Sequence, residues 1–190
     1  LSSIKEISVP LTTLNVLFVG HARIEKGLDV LLTAWGFGVP KNMNLTVACN
    51  IPLSAHYKFS ELIGKNFTLI DKFLSDEEYA FLISQSDFVI LPYTQGTNSG
   101  IPSSIISLGT IPVCSDISMF RNNDLLEEND LFIAGNPAAL LEKLIDLSTL
   151  SSDQIKDRHL TLARRYNVYR AEFSVAIPNV YQEILGNLKL

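Results

Sequence analysis

Residues 15–35 read NVLFVGHARIEKGLDVLLTAW, and this stretch decides the fold of the chain. The run NVLFVG at 15–20 is almost wholly apolar, which is typical of a strand buried on both faces of a parallel sheet. After a polar turn that ends at Gly27, apolar residues recur at helical spacing, at Leu28, Leu31, Leu32 and Trp35. The stretch therefore predicts a strand, a turn and an amphipathic helix, which together open a βαβ unit.

The same alternation of strand-like and helix-like runs continues along the chain. Five more apolar runs predict strands, at residues 45–50, 67–71, 87–93, 111–115 and 131–134. We therefore predict an α/β fold, a Rossmann-like doubly wound parallel sheet of about six strands with helices on both faces and a helical C-terminus.

Helix starts are signalled by their capping residues. Ser75 and Glu78 form a capping box, and Asn136 followed by Pro137 is a second start signal. The helical runs after the first are placed at residues 55–63, 79–83, 140–145, about 153–169 and about 177–188.

Composition narrows the classes of function. The chain has 190 residues, 47% hydrophobic and 18% charged, which fits one globular domain. A net charge of −5 without a block of Lys or Arg argues against a nucleic-acid partner. No apolar run reaches the roughly 18–20 residues of a membrane span. Cys49 and Cys114 lack metal-ligand spacing, and they predict two buried free thiols.

Ligands of an open parallel sheet bind beyond the carboxyl ends of the strands. The turn from Gly20 to Gly27 lies at such an end. Gly20 permits close backbone approach, and Lys26 stands where the positive end of the next helix favours an anion. An ammonium group there suits a phosphate. A solvated surface lysine is the alternative that the residues leave open.

A second turn of this kind covers residues 92–102, PYTQGTNSGIP. Ser99 and Gly100 come just before a predicted helix, whose free backbone N–H groups can bind an anion. A simple connecting loop remains the alternative. If both turns open on one edge of the sheet, a nucleoside-diphosphate sugar could span them.

Three stretches resemble the donor-binding domain of the family-4 retaining glycosyltransferases of the GT-B fold. They are LFVGHARIEKGLDVLLTAW, FTLIDKFLSDEEYAFLISQSDFVILPY and SGIPSSIISLGTIPVCSD. The closing AEFSVAIPNVYQEIL is similar to the family's last helix. The likeness covers nearly the whole chain in the family's order, and the chain resembles the bacterial O-antigen and capsule transferases of that family.

The resemblance implies roles for named positions. Lys26 would be the catalytic residue. The donor diphosphate would be held by Gly20, His21, Arg23, Lys26, Ser99 and Gly100. The donor sugar would meet Thr97 and Asn98, and the nucleoside would meet Phe73, Leu74 and Ile105. No metal ligand set is recognisable, so we expect transfer without a metal or another cofactor, with a UDP-sugar as donor substrate.

Three positions depart from the family pattern. His21 stands where the family has an arginine, which weakens or replaces one diphosphate contact. Thr97 and Ile105 stand where the family has paired glutamates, and an isoleucine cannot hold ribose hydroxyls. The departures keep two alternatives open: a non-catalytic interaction module, and a nucleotide-sugar epimerase on the same fold.

The resemblance also implies a domain organisation. Residues 1–190 would be a single nucleotide-sugar-binding domain, the second half of a two-domain enzyme, with a linker at 1–13 and a crossover helix at 174–190. The partners would be a nucleotide sugar, a missing N-terminal acceptor-binding domain, and a lipid-linked or oligosaccharide acceptor. We expect retaining transfer, with UDP-N-acetylgalactosamine as the guess for the donor. The reaction would serve O-antigen synthesis in the cytoplasm, at the inner face of the membrane through the missing domain, and the fragment alone should be inactive.

Overall fold

The computed structural model describes residues 13–51, 59, 62, 66–96 and 100–187, with side chains as far as residue 172. Six parallel strands form one sheet in the order β3-β2-β1-β4-β5-β6. They are β1 (Leu14–Val19), β2 (Met43–Ala48), β3 (Phe67–Ile70), β4 (Phe88–Leu91), β5 (Ile111–Ser115) and β6 (Leu131–Phe132). The predicted doubly wound parallel sheet is confirmed, with strand ends within a few residues of those predicted.

Helices connect the strands and close the chain. They are α1 (Leu28–Gly36), α2 (Asp76–Ser84), α3 (Ile101–Ser107), α4 (Ser118–Arg121), α5 (Pro137–Ser148) and α6 (Ser152–Asn187). The predicted capping box is present, with Glu78 N donating to Ser75 Oγ at 3.2 Å and Ser75 N donating to Glu78 Oε2 at 3.1 Å. Asn136 Oδ1 caps α5 by accepting the backbone N–H groups of Ala138 and Ala139.

The C-terminal region differs from the prediction, and the helix predicted at 55–63 is largely untested. We predicted two helices after residue 150, but α6 is continuous. Residues 170–176 contain no Gly or Pro, so nothing in that stretch ends a helix. The run at 55–63 lies outside the described residues apart from Phe59 and Leu62, which are both buried.

Two apolar clusters, one on each face of the sheet, form the core. Along β1, Val16 and Phe18 belong to one cluster while Leu17 and Val19 belong to the other, as the two-residue period of a strand requires. The first cluster takes in apolar residues of α1, α5 and α6, and the second takes in residues of α2 and α4, while α3 contributes to both. Helices therefore cover both faces of the sheet, as predicted.

Both cysteines are buried and free, as predicted. Burial, with a smaller effect from Asp71, raises the pKa of Cys49 to about 11. Burial also raises the pKa of Cys114. Across the described helices, none combines the length and the hydropathy that crossing a bilayer requires.

Candidate functional site at the carboxyl edge of the sheet

The turns after β1 and β4 contact each other directly. Thr94 donates its backbone N–H to the carbonyl of Glu25 at 2.9 Å. Beside this bond, Gly27 adopts the left-handed conformation at φ +64°, and its α-carbon faces the carbonyl of Pro92. The prediction that the two turns open on one edge of the sheet is therefore confirmed, and the structure adds that their backbones are joined.

Lys26 lies at this junction. It ends a one-turn 3-10 helix, Ile24–Lys26. Gly27 is then the N-cap residue of α1, so Lys26 directly precedes the cap of that helix. Its Nζ lies 3.8 Å from the centroid of the Tyr93 ring. Partial burial, with the nearby Arg23, lowers the pKa of Lys26, and Glu25 opposes this effect. A partly desolvated ammonium group gains stability from a bound anion.

The ring of Tyr93 contacts the ammonium group of Lys26, and Tyr93 was not predicted as a site residue. Its side chain is only 3% exposed, and its ring packs against Phe120 with centroids 5.3 Å apart. Its carbonyl accepts a hydrogen bond from Ser115 Oγ at 2.5 Å, which ties the end of β4 to the end of β5. Burial raises the pKa of Tyr93. The available sequence signal was an aromatic residue at the end of the most apolar run, where a polar loop begins.

The other predicted diphosphate residues of the first turn are exposed. Gly20 continues the ladder of β1 by donating its N–H to Ala48 O at 3.3 Å, and its φ of +135° favours glycine. The side chains of His21 and Arg23 face solvent. Arg23 Nη1 lies 3.9 Å from Glu25 Oε1, which is a long ion pair between partly exposed groups.

The second turn is described in part. Thr97, Asn98 and Ser99 lie outside the described residues, so their predicted roles stay predictions. Gly100 is exposed and is the N-cap residue of α3, where it was expected. Gly96 packs against Met119, which joins this loop to α4.

The predicted nucleoside residues fall in different surroundings. Phe73 is 73% exposed in the turn between β3 and α2, and Leu74 is half-buried against the second core cluster. Ile105 is fully buried inside the same cluster, at 0% exposure. Its side chain is not available to a nucleoside, so a direct contact there is not supported. The reason is that the inner face of α3 packs on the sheet.

A cavity of about 460 Å³, lined equally by polar and apolar residues, lies beside the ends of β5 and β6, and it was not predicted. Arg121 makes a bidentate ion pair with Asp116, at 2.7 Å for each hydrogen bond. Glu127 and Glu128 also line the cavity. Because its arginine is already paired and two further carboxylates are near, the cavity is a poor site for a diphosphate.

In the part of the chain that the structure describes, no three His, Cys, Asp or Glu side chains are grouped as the ligands of a metal ion would be. Metal-independent chemistry stays a prediction.

The described architecture is similar to solved glycosyltransferase structures. One is the catalytic domain of cholesterol-α-glucosyltransferase from Helicobacter pylori, at 18% identity and TM-score 0.67, over 83% of this chain and 99% of that chain. Another is the C-terminal domain of a glycosyl transferase group 1 family protein from Francisella tularensis, at 10% identity and TM-score 0.68, over 83% and 86%. The chain shares the fold of these two glycosyltransferase domains.

A third similar structure contains ligands. Anabaena HepE, in complex with UDP and glucose, matches at 13% identity and TM-score 0.65, over 90% of this chain and 49% of that chain. This chain therefore spans about half the length of HepE. The sequence matches no protein-family model and no curated protein. At these identities the similarity establishes the fold, and the chemistry has to be argued from the site.

Proposed function

We propose that this chain binds the nucleotide-sugar donor of a retaining glycosyltransferase and forms the donor-binding half of that enzyme. The observation that carries the proposal is the junction of the turns after β1 and β4, where Lys26 precedes the start of α1. A cationic side chain and the positive end of a helix meet there at the carboxyl edge of a parallel sheet, which is where this fold class binds phosphates.

The proposed chemistry is stabilisation of a leaving group. When the bond between sugar and diphosphate breaks, negative charge develops on the diphosphate, and a fixed cation stabilises the transition state more than the ground state. Lys26 supplies that cation. The backbone N–H groups at the start of α1 add partial positive charge that needs no reorganisation.

The nucleoside would extend from this junction toward β3. Strands β1 and β3 are separated only by β2, so the turns that follow them lie two strand spacings apart, roughly 10 Å. That distance suits a nucleoside that places its base at Phe73 and Leu74 and its phosphates at Lys26. The exposed ring of Phe73 offers an apolar face to a base.

The finer assignments belong to the same proposal. The donor is a UDP-sugar, and UDP-N-acetylgalactosamine is the first to test. The sugar contacts Thr97 and Asn98, and the acceptor is lipid-linked or an oligosaccharide of bacterial surface polysaccharide such as O-antigen. A second domain of the same protein binds that acceptor. Transfer requires no metal and takes place in the cytoplasm, at the inner face of the membrane. HepE, which carries UDP and glucose, supports the choice of UDP by analogy of fold.

Thermal unfolding of the chain with UDP, ADP and GDP tests the proposal. A ligand that binds the folded state stabilises it by about 2.7 kcal/mol at a hundredfold excess over its Kd. We expect the melting temperature to rise with UDP more than with the other two, and to rise less in Lys26→Ala. Lys41→Ala is the matched control, because Lys41 is an exposed lysine that precedes β2 at the opposite edge of the sheet.

One observation favours a second candidate, a non-catalytic interaction module. Ile105 occupies the position of the family's ribose-binding glutamate, and it is part of the core. A domain that no longer binds donor could retain such a substitution without cost. If none of the three nucleotides raises the melting temperature of the chain at millimolar concentration, the result supports this candidate over the transferase.

A further inference from the structure

Lys26 has an aromatic partner where an ion pair would be usual. The 3.8 Å from its Nζ to the centroid of the Tyr93 ring is well inside the range of a cation–π interaction. Across the described residues, no carboxylate lies within ion-pair distance of Lys26, and the neighbouring Glu25 lies closer to Arg23. The ring stabilises the ammonium group without neutralising it, so its charge stays available to an anion.

The ring of Tyr93 is fixed from several sides. It is buried, it packs on Phe120, and its own carbonyl accepts the hydroxyl of Ser115. The residue after it, Thr94, donates to the carbonyl of Glu25, the residue before Lys26. Glu25 and Lys26 are therefore held to Tyr93 and Thr94 by the backbone hydrogen bond, by a longer one from Thr94 Oγ1 to the same carbonyl at 3.5 Å, and by the contact of Lys26 with the ring.

This closed arrangement restricts a side chain that is otherwise flexible. A lysine stem has four rotatable bonds, and ordering such a stem on ligand binding costs affinity. Here the ring occupies one side of the ammonium group while Lys26 stays half-exposed on the other side. Part of the ordering is then in place before a ligand arrives, because the ring already holds one end of the stem.

We propose that Tyr93 is a positioning residue, whose buried ring holds the ammonium group of Lys26 at the junction of the two turns, ready for the diphosphate of the donor. The inference rests on the proposed function for the identity of the anion. The placement of Lys26 itself can be measured without any ligand.

The test combines two measurements on the 190-residue chain. Nuclear magnetic resonance of the free protein reads the Cε methylene protons of Lys26, which shift upfield when they lie over an aromatic ring. Calorimetry reads the affinity for UDP. The variants are Tyr93→Phe, which keeps the ring, and Tyr93→Leu, which removes it. Phe88→Leu removes a buried aromatic residue from the amino end of β4, the strand that precedes Tyr93, and controls for lost stability.

We expect the upfield shift in the wild type and in Tyr93→Phe, with UDP affinities within about threefold of each other. Tyr93→Leu should lose the shift and bind UDP about five- to tenfold more weakly, the range for a partly desolvated cation–π contact. Phe88→Leu should keep the shift and the affinity. In a Lys26→Met background, Tyr93→Leu should cause no further loss, because Tyr93 acts through Lys26.

Contrary outcomes separate this inference from the proposed function. If the Cε methylene protons of Lys26 are not shifted upfield in the wild type, the placement of Lys26 on the Tyr93 ring is overturned. This measurement needs only the wild type, so it decides the question even if Tyr93→Leu does not fold. Unchanged UDP affinity in a folded Tyr93→Leu overturns the positioning role while the UDP site stands. A wild-type chain that binds no UDP overturns the proposed function, and the ring-induced shift then still decides whether Tyr93 holds Lys26.

Discussion

Gly27 lies so close to the carbonyl of Pro92 that a Cβ built on Gly27 would come within 1.8 Å of that oxygen. This contact brings the start of α1 against the end of β4, and only a residue without a side chain permits it. The positive φ of Gly27 imposes the same requirement independently. The candidate site therefore depends on a glycine that itself offers no functional group.

Gly27→Ala should destabilise the chain by about 2–4 kcal/mol, because the new methyl group both clashes with Pro92 and strains the backbone. The free energy of unfolding in urea measures the loss. Gly36→Ala, within the same helix, is the control, since its Cβ meets no atom within 4 Å. That control should change stability by less than about 1 kcal/mol. Equal stability of the two variants would contradict the close packing of the turns.

Lys26→Ala in the complete transferase should lower kcat/KM by the equivalent of about 2–4 kcal/mol, the usual loss for a preorganised charge that stabilises a transition state. Steady-state kinetics with the UDP-sugar measure it. Lys41→Ala should leave kcat/KM unchanged, because that side chain lies at the other edge of the sheet. Wild-type kinetics in Lys26→Ala would remove this residue from the site.

Ile105→Glu should not restore the ribose contact that a glutamate makes in the resembling family. Ile105 is fully buried, and a carboxylate there would lie in the apolar core without a partner. We expect a loss of stability of about 3 kcal/mol or more and no gain in UDP affinity beyond a few-fold. Ser104→Glu, exposed on the same helix, is the control and should unfold like the wild type. A tenfold gain in affinity for Ile105→Glu would contradict the burial argument.

Local patterns in the sequence were sufficient to predict most of the fold. Largely apolar runs located the six strands of the described sheet, because strands buried on both faces, such as β4 and β5, tolerate few polar residues. Ser75 and Asn136 located two helix starts, because their side chains satisfy the first free N–H groups of the helices. Lys26 and Gly27 were placed correctly at the end of the first turn because they directly precede an amphipathic helix.

Contacts between distant parts of the chain could not be predicted in this way. Nothing local indicates that the ring of Tyr93 lies under Lys26, since the contact depends on how β4 aligns with β1. The assignment of Ile105 to the nucleoside came from the family resemblance alone, whereas its actual burial follows from how α3 packs on the sheet. The continuity of α6 was missed because its sequence has a weak apolar pattern, while nothing in residues 170–176 opposes a helix.

We expect His159 to give the chain a pH dependence, although no sequence motif indicated it. It lies on α6 beside a cavity of about 410 Å³ at the amino edge of the sheet, and its Nε2 is buried without a hydrogen-bond partner in the described structure. Burial lowers the pKa of His159, while the carboxylate and backbone of the adjacent Asp87 oppose the effect. The folded protein therefore resists protonation of this imidazole more than the unfolded chain does.

The sign of the effect follows from that difference. Above the pKa of an unfolded histidine, about 6.5, the imidazole is neutral in both states and pH has no effect through it. As the pH falls below that value, the unfolded chain takes up a proton first, so stability is lost until the lower folded pKa is passed. We expect the melting temperature of the wild type to fall by about 1–3 °C more than that of His159→Gln between pH 7.5 and pH 5. Leu160→Ala alters the same cavity without removing the imidazole, so it should keep the wild-type pH dependence. If the melting temperatures of the wild type and His159→Gln change equally with pH, this histidine is protonated equally in the folded and unfolded chains.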